Sequence, residues 1–193
     1  MRLEIQKSRT EEDLIKGCKA KEALAQRLVF ERYAGKMFAL CIRYIKDRSE
    51  AEEIMIGGFT KVFEKVNQFK SEGSFEGWIR RIMVNESLIY LRKNKNMYLE
   101  VDISEADREP NFQTLETELE AEDLMKMIQE LPMGYRTVFN LYAIEGYSHQ
   151  EIADQLGINV NTSKSQLSRA RKILQKLLLD RTRREDLKMV NYE

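Results

Sequence analysis

Between Ser148 and Arg171 the chain gathers polar and basic side chains at helical spacing, a set suited to hydrogen bonding and to attracting anions. Ser148, with Glu151 three residues on, has the form of a capping box that starts a helix. Ile152 and Leu156 lie four apart on its buried face, and Ala153 is small where a second helix must cross closely. Gly157 suits a left-handed turn position, and Ile158 plugs the corner. Asn161 or Thr162 then caps a second helix whose Leu167, Ala170, Leu174 and Leu177 face inward. Its polar first turns, with Thr162, Lys164, Ser165, Gln166, Ser168 and Arg169, point away, where a recognition helix meets the major groove. Lysine and arginine supply phosphate attraction; glutamine, serine and arginine can hydrogen-bond base edges. The plainer alternative is a helical hairpin with a polar outer face. Capping box, small residue, glycine and basic exit together favour DNA binding.

Other chemistries find little support. One histidine, His149, rules out a Cys/His zinc cluster, and its place at a helix start suits a surface or capping residue better than a ligand. Cys18 and Cys41 form no CxxC and fit a reduced intracellular setting. There is no GxxxxGK[ST] phosphate loop, no GxSxG and no metal-ligand spacing, so no cofactor, no metal and no enzyme activity is expected. The first residues lack the apolar core of a signal peptide, and no run approaches the ~18 residues a membrane helix needs. A cytoplasmic protein without membrane insertion is the expectation.

These residues must be positioned by helices. The 193-residue chain has two prolines and nine glycines, few for an all-β or loop-rich fold. Leu24, Leu28, Phe30, Tyr33, Met37, Leu40, Cys41 and Tyr44 recur at helical spacing, and a second helix is predicted from Glu50 to about Phe69. Ser71-Glu72-Gly73-Ser74 breaks the pattern, and a third helix should run from Phe75 to about Lys95. A short acidic helix from about Thr114 leads into Leu124, Met127, Ile128 and Leu131. Pro132 opens a further helix with Val138, Phe139, Leu141 and Tyr142 on its apolar face, stopped by Gly146.

The zero net charge hides a segregation. Residues 1–97 hold 20 Lys+Arg against 14 Asp+Glu, residues 98–123 hold 1 against 10, and residues 124–193 hold 11 against 8. Two basic blocks on an acidic connector suggest two modules that touch a polyanion and a connector that does not. The fold class is therefore all-α: a helical domain over 1–97, an acidic linker over 98–121, and a helix-turn-helix domain over 122–193 ending in a basic tail around Arg181–Arg184.

The first block narrows the class of DNA-binding protein. Tyr44-Ile-Lys-Asp-Arg-Ser-Glu-Ala-Glu-Glu-Ile54, then Phe59-Thr-Lys-Val-Phe63, Phe69 through Asn85, and Leu91-Arg-Lys resemble conserved region 2 of bacterial RNA polymerase sigma factors. Leu131-Pro132, Arg136, Val138-Phe139, Glu145-Gly146, Glu151-Ile152-Ala153, Leu156-Gly157 and Arg169-Ala170-Arg171 are similar to region 4. Two modules and a short linker are the layout of the extracytoplasmic-function group.

That resemblance implies a non-catalytic promoter-specificity subunit that binds core RNA polymerase through its clamp helices and flap, and promoter DNA at two elements. Region 4 reads the −35 element; region 2 reads and opens the −10 element. The Ser71–Ser74 loop, with Phe75 beside it, matches the place where the family holds a flipped-out base. At 100° per residue Arg81, Asn85 and Arg92 fall within about 40° of one another, a stripe suited to phosphates and one unpaired base. Trp78 invites a base-stacking role, though helical spacing beside Phe75 and Ile82 favours core packing. Glu50, Glu53, Ile54 and Phe59 fall in the segment that docks on the clamp helices. The chain departs from the family there: Ile56, Gly57 and Gly58 stand where a glutamine and an acidic residue are usual. The acidic linker would run toward the RNA exit path or act as a disordered spacer. Sigma factors of this group are typically held inactive by an anti-sigma partner. The competing hypothesis is a free-standing helix-turn-helix regulator whose N-terminal bundle senses a ligand or dimerises.

Overall fold

The computed structural model describes residues 9–93 and 121–190, with the side chains of the second stretch from 123 to 181. The described residues are helical, without a strand, and fall into two compact units that divide after Lys93. The expected linker over 98–121 lies almost wholly outside the described residues, as does the acidic helix expected from Thr114.

Among the described residues the first unit opens on a helix not expected from the sequence, α1, Glu11–Lys19. Its start is local chemistry: the Thr10 hydroxyl accepts the Asp13 N–H at 3.2 Å while the Asp13 carboxylate accepts the Thr10 N–H at 3.3 Å. Leu14, Ile15 and Cys18 bury its inner face. Helix α2, Ala23–Tyr44, buries Ala25, Val29, Tyr33, Met37, Leu40, Cys41 and Tyr44, each three or four residues from the next or adjacent to it. Helix α3, Arg48–Lys65, starts where the Asp47 carboxylate accepts the Glu50 N–H at 2.9 Å, and it ends in a 3-10 turn, Val66–Gln68. Helix α4, Phe75–Lys93, packs Phe75, Ile79, Met83, Val84, Leu88 and Leu91 inward.

The glycine pair in α3 divides into two cases. Gly58 is buried, and a Cβ there would collide with the Met83 thioether of α4. Its missing side chain leaves the space that the Met83 thioether fills, which offsets its poor helix propensity of about 1 kcal/mol relative to alanine. Gly57 is exposed with nothing near its Cβ position, and nothing in the structure explains it.

Among the described residues the second unit opens with α5, Ala121–Glu130, which turns at Leu131 into α6, Met133–Phe139. Pro132 sits at the N-cap of α6, and the helix runs on through a π-helical turn, Asn140–Ile144, before Gly146 at φ 78° ends it. Buried between α5 and α6 is Arg136, 1% exposed, whose Nη1 donates to the Gln129 carbonyl at 3.2 Å and the Leu131 carbonyl at 3.3 Å. It closes the C-terminal end of α5, where helical carbonyls lack partners.

Helix α7, His149–Leu156, has the predicted capping box: the Ser148 hydroxyl accepts the Glu151 N–H at 3.3 Å, and the Glu151 carboxylate accepts the Ser148 N–H at 2.8 Å. Gly157 adopts φ 66° at its end, as expected. Helix α8 spans Val160–Val190 and starts earlier than Asn161 or Thr162 as a cap would allow. The cap is Asn159, whose side-chain oxygen accepts the Asn161 N–H at 2.7 Å. Ile152, Leu167 and Ala170 are buried as predicted, whereas Leu156, Leu174 and Leu177 are half-buried. Helix α8 continues through Arg181, which pairs with Asp123 of α5 at 2.5 Å. The guanidinium hydrogen bond holds the Asp123 carboxyl below its ordinary range.

Candidate nucleic-acid interface

Helix α8 turns Ser163, Gln166, Leu167 and Ala170 toward α6 and α7, because these four fall within one sector of the helical wheel. The opposite sector is the solvent face, where Lys164 and Ser165 are exposed and Ser168 is half-exposed. Gln166 does not join them. It is 4% exposed, and its amide packs on Gly134 of α6, where a Cβ would come within 3.3 Å of Nε2. Its polarity suggests an outward position; its angle, between Ser163 and Ala170, dictates an inward one. Arg169 and Thr162 sit at the margins, half-buried, and Arg169 Nη1 donates to the Tyr135 hydroxyl at 3.3 Å. Two further residues fall on the outer line: Asn161, exposed, and Lys172, half-exposed. The i, i+4, i+7, i+11 spacing of Asn161, Ser165, Ser168 and Lys172 is the signal that would find them.

Behind this face, His149 joins α7 to α8. Its Nδ1 and the buried Ser163 hydroxyl share a hydrogen bond of 2.9 Å, and its ring stacks on Tyr142 at 4.5 Å between centroids. The Arg171 guanidinium also lies over the Tyr142 ring, at 5.8 Å. Burial, then the charges of Lys164 and Arg171, push the His149 pKa below its ordinary value. The imidazole is thus an interhelical strut as well as a first-turn residue.

In the first unit a cavity of about 280 Å³ opens beside the first turns of α4, lined by Phe69, Lys70, Ser74, Gly77, Trp78 and Arg81 among others. Its rim is the 70–74 loop, which carries left-handed backbone at Ser71 (φ 60°) and Gly73 (φ 124°). Ser74 ends the loop: its hydroxyl accepts the Gly77 N–H at 3.0 Å and its carbonyl the Trp78 N–H at 3.1 Å. Ser74 lines the cavity, while Ser71 is exposed on the loop and is not part of the lining.

Phe75 belongs behind the cavity and does not contact it. It is 1% exposed, with Phe69 at 5.1 Å and Trp78 stacked at 5.8 Å and 12°. A helix-starting aromatic with Ile79 four residues on faces the core, so contact with DNA is closed to it. Trp78 packs on Phe75 and Phe69, as its helical spacing favours, and this half-exposed residue also lines the cavity. Arg81, Asn85 and Arg92 are all exposed on one line of α4, with half-buried Ile82 and Ile89 beside them. A small aromatic-walled cavity next to guanidinium groups can stack one planar base and hold its backbone phosphates.

On the outer face of α3, Glu50 and Glu53 are exposed and Ile54 is half-buried. Phe59 is not on this face. It is 2% exposed and meets Phe30 edge-on at 4.9 Å, because it follows Ala51 and Met55 at four-residue steps along the buried side. The exposed large apolar residue of α3 is Ile56, 51% exposed. Among the described residues no cluster of three His, Cys, Asp or Glu side chains could hold a metal ion, and no helix is long and apolar enough to cross a membrane.

The chain matches the family model for Sigma-70 region 2 over residues 29–97 and that for Sigma-70 region 4 over residues 121–174. It is 27% identical over 164 residues to the RNA polymerase sigma-H factor of Pseudomonas aeruginosa, covering 78% of this chain and 84% of that one. With the ECF RNA polymerase sigma-E factor of Haemophilus influenzae it shares 27% identity over 179 residues, 86% of this chain and 94% of the other. The ECF RNA polymerase sigma factor SigW of Bacillus subtilis is 29% identical over 164 residues, 79% and 88% of the two chains.

Proposed function

Because the chain belongs to the sigma-70 family of RNA polymerase sigma factors, as one of extracytoplasmic-function type, we propose that its two helical units divide one promoter between them. The second unit reads duplex −35 DNA with Asn161, Lys164, Ser165, Ser168 and Lys172, and Arg169 borders the groove from its bond to Tyr135. In the first, one unpaired −10 base enters the cavity against Trp78, while Arg81, Asn85 and Arg92 follow the strand. Glu50, Glu53 and Ile54 on α3 face the polymerase clamp helices, and region 4 meets the flap. Residues 98–121 act as the acidic linker between the two.

The observation that carries this reading is order: region 2 and then region 4 are matched on two separate units, each with a cationic exposed line. The protein works in the cytoplasm, without a catalytic step or cofactor of its own, and an anti-sigma partner would silence it by covering these same surfaces.

In vitro transcription with purified core polymerase on a pool of genomic promoters tests the reading. Co-elution with core and discrete new start sites are expected. Failure at both ends it. Tight duplex binding by the protein alone, without core, would instead favour a free-standing regulator.

A further inference from the structure

Helix α1 precedes the matched region 2 segment, which begins at residue 29, yet both of its ends reach the aromatic cluster behind the cavity. At its C-terminal end Lys19 Nζ donates to the Phe69 carbonyl at 3.1 Å, while the Phe69 N–H donates to the Val66 carbonyl at 3.1 Å. Both backbone polar groups of Phe69 are therefore tied just where the chain leaves helix for the loop. At the N-terminal end Glu11 accepts a hydrogen bond from the Tyr33 hydroxyl, and the Tyr33 ring meets Phe75 edge-on at 6.1 Å. Phe69 and Phe75 are the two rings on which Trp78 rests, at 5.6 and 5.8 Å. Buried Leu14 and Cys18 seat α1 in the bundle core.

The loop beyond Phe69 holds a serine in left-handed backbone, Ser71, a conformation that L-residues with a Cβ avoid. Such a loop keeps one shape only if both ends are fixed. Ser74 fixes one end on α4; Lys19 fixes the other.

We propose that α1 is a working part of the −10 site, with Lys19 and Glu11 as positioning residues that set the aromatic wall offered to the unpaired base. The inference rests on the −10 reading above. Neither residue touches DNA; each acts through a ring, Lys19 through Phe69 and Glu11 through Tyr33 and Phe75.

Trp78 is the chain's one tryptophan, so its emission reports this wall directly. In the full-length protein, Lys19→Met keeps the aliphatic stem and removes the donor. Its Trp78 emission should move to the red, with about twofold easier quenching by acrylamide, the signs of a loosened stack. With core polymerase, permanganate reactivity of −10 thymines should fall about five- to tenfold, while −35 duplex retention is unchanged and Lys19→Arg restores opening. Glu11→Ala should also lower opening, although it removes negative charge; a simple phosphate-attraction effect would raise it. Unchanged Trp78 emission in Lys19→Met, opening within twofold of wild type, or a loss shared equally by −35 binding each overturns the proposal. If the wild-type protein itself leaves −10 thymines unreactive with core, the −10 reading falls first and this inference with it.

Discussion

His149 Nδ1 and Ser163 Oγ lie 2.9 Å apart, joining the first turn of α7 to the first turns of α8. The pair fixes the angle at which the outer face of α8 is presented, and it does so with a titratable group. Burial, Lys164 and Arg171 all disfavour the imidazolium. The sign follows: the unfolded chain takes up a proton near the ordinary value of 6.5 while the folded chain resists, so stability is full above 6.5 and falls as pH drops below it toward the lowered folded value. Thermal melts of the protein between pH 7.5 and 5.5 should show a loss that His149→Gln reduces. A variant with the wild-type pH dependence would assign that loss to other groups.

The division of α8 into an inner and an outer line predicts opposite phenotypes for neighbouring residues. Lys164→Ala with Lys172→Ala should lower the log–log salt slope of −35 binding by about one per lost phosphate contact. Gln166→Ala should leave the slope and base preference alone and cost about 1 kcal/mol of unit stability, because its amide packs inside on Gly134. Salt titrations of promoter retention, paired with urea melts, separate the two.

Much of this arrangement is legible in the sequence wherever the signal is local. The Ser148–Glu151 capping box, the left-handed Gly157 and the loop at residues 71–74 all announce themselves by residue type. Errors arise where type and angle disagree. Gln166 is polar but lies in the same sector as Ser163 and Ala170; Phe59 falls in the segment expected to dock but repeats Ala51 and Met55. Helix α1 is absent from the sequence-based expectation although Thr10 and Asp13 carry its cap and Leu14, Ile15 and Cys18 recur at helical spacing. Arg136 is beyond sequence reasoning: its burial depends on carbonyls at the end of another helix, which exist only once the fold does.

The two adjacent glycines of α3 should respond in opposite directions. Gly57→Ala places a methyl in open space on an exposed helix and should stabilise by about 0.5–1 kcal/mol. Gly58→Ala drives its methyl into the Met83 side chain and should destabilise by about 1–3 kcal/mol. Shortening the obstacle, as in Gly58→Ala with Met83→Val, should recover part of that loss. Chemical denaturation of the four proteins decides it, and a stabilised Gly58→Ala would show that the Met83 side chain moves aside at no cost.

Arg136 makes the last contrast, between charge and geometry. Its guanidinium reaches the Gln129 and Leu131 carbonyls from one nitrogen inside the second unit, so it serves as a buried cap for α5. Arg136→Met fills similar space but leaves those carbonyls without their donor, and should cost about 2–4 kcal/mol. Arg136→Lys keeps the charge yet replaces the planar fork by a single ammonium, and the loss should remain large. If capping is the role, hydrogen exchange in Arg136→Met should quicken first near the C-terminal turn of α5, while the amides of α7 keep their protection until global unfolding. Uniform acceleration across the unit would mean that Arg136 acts as general core packing and not as the end-piece of one helix.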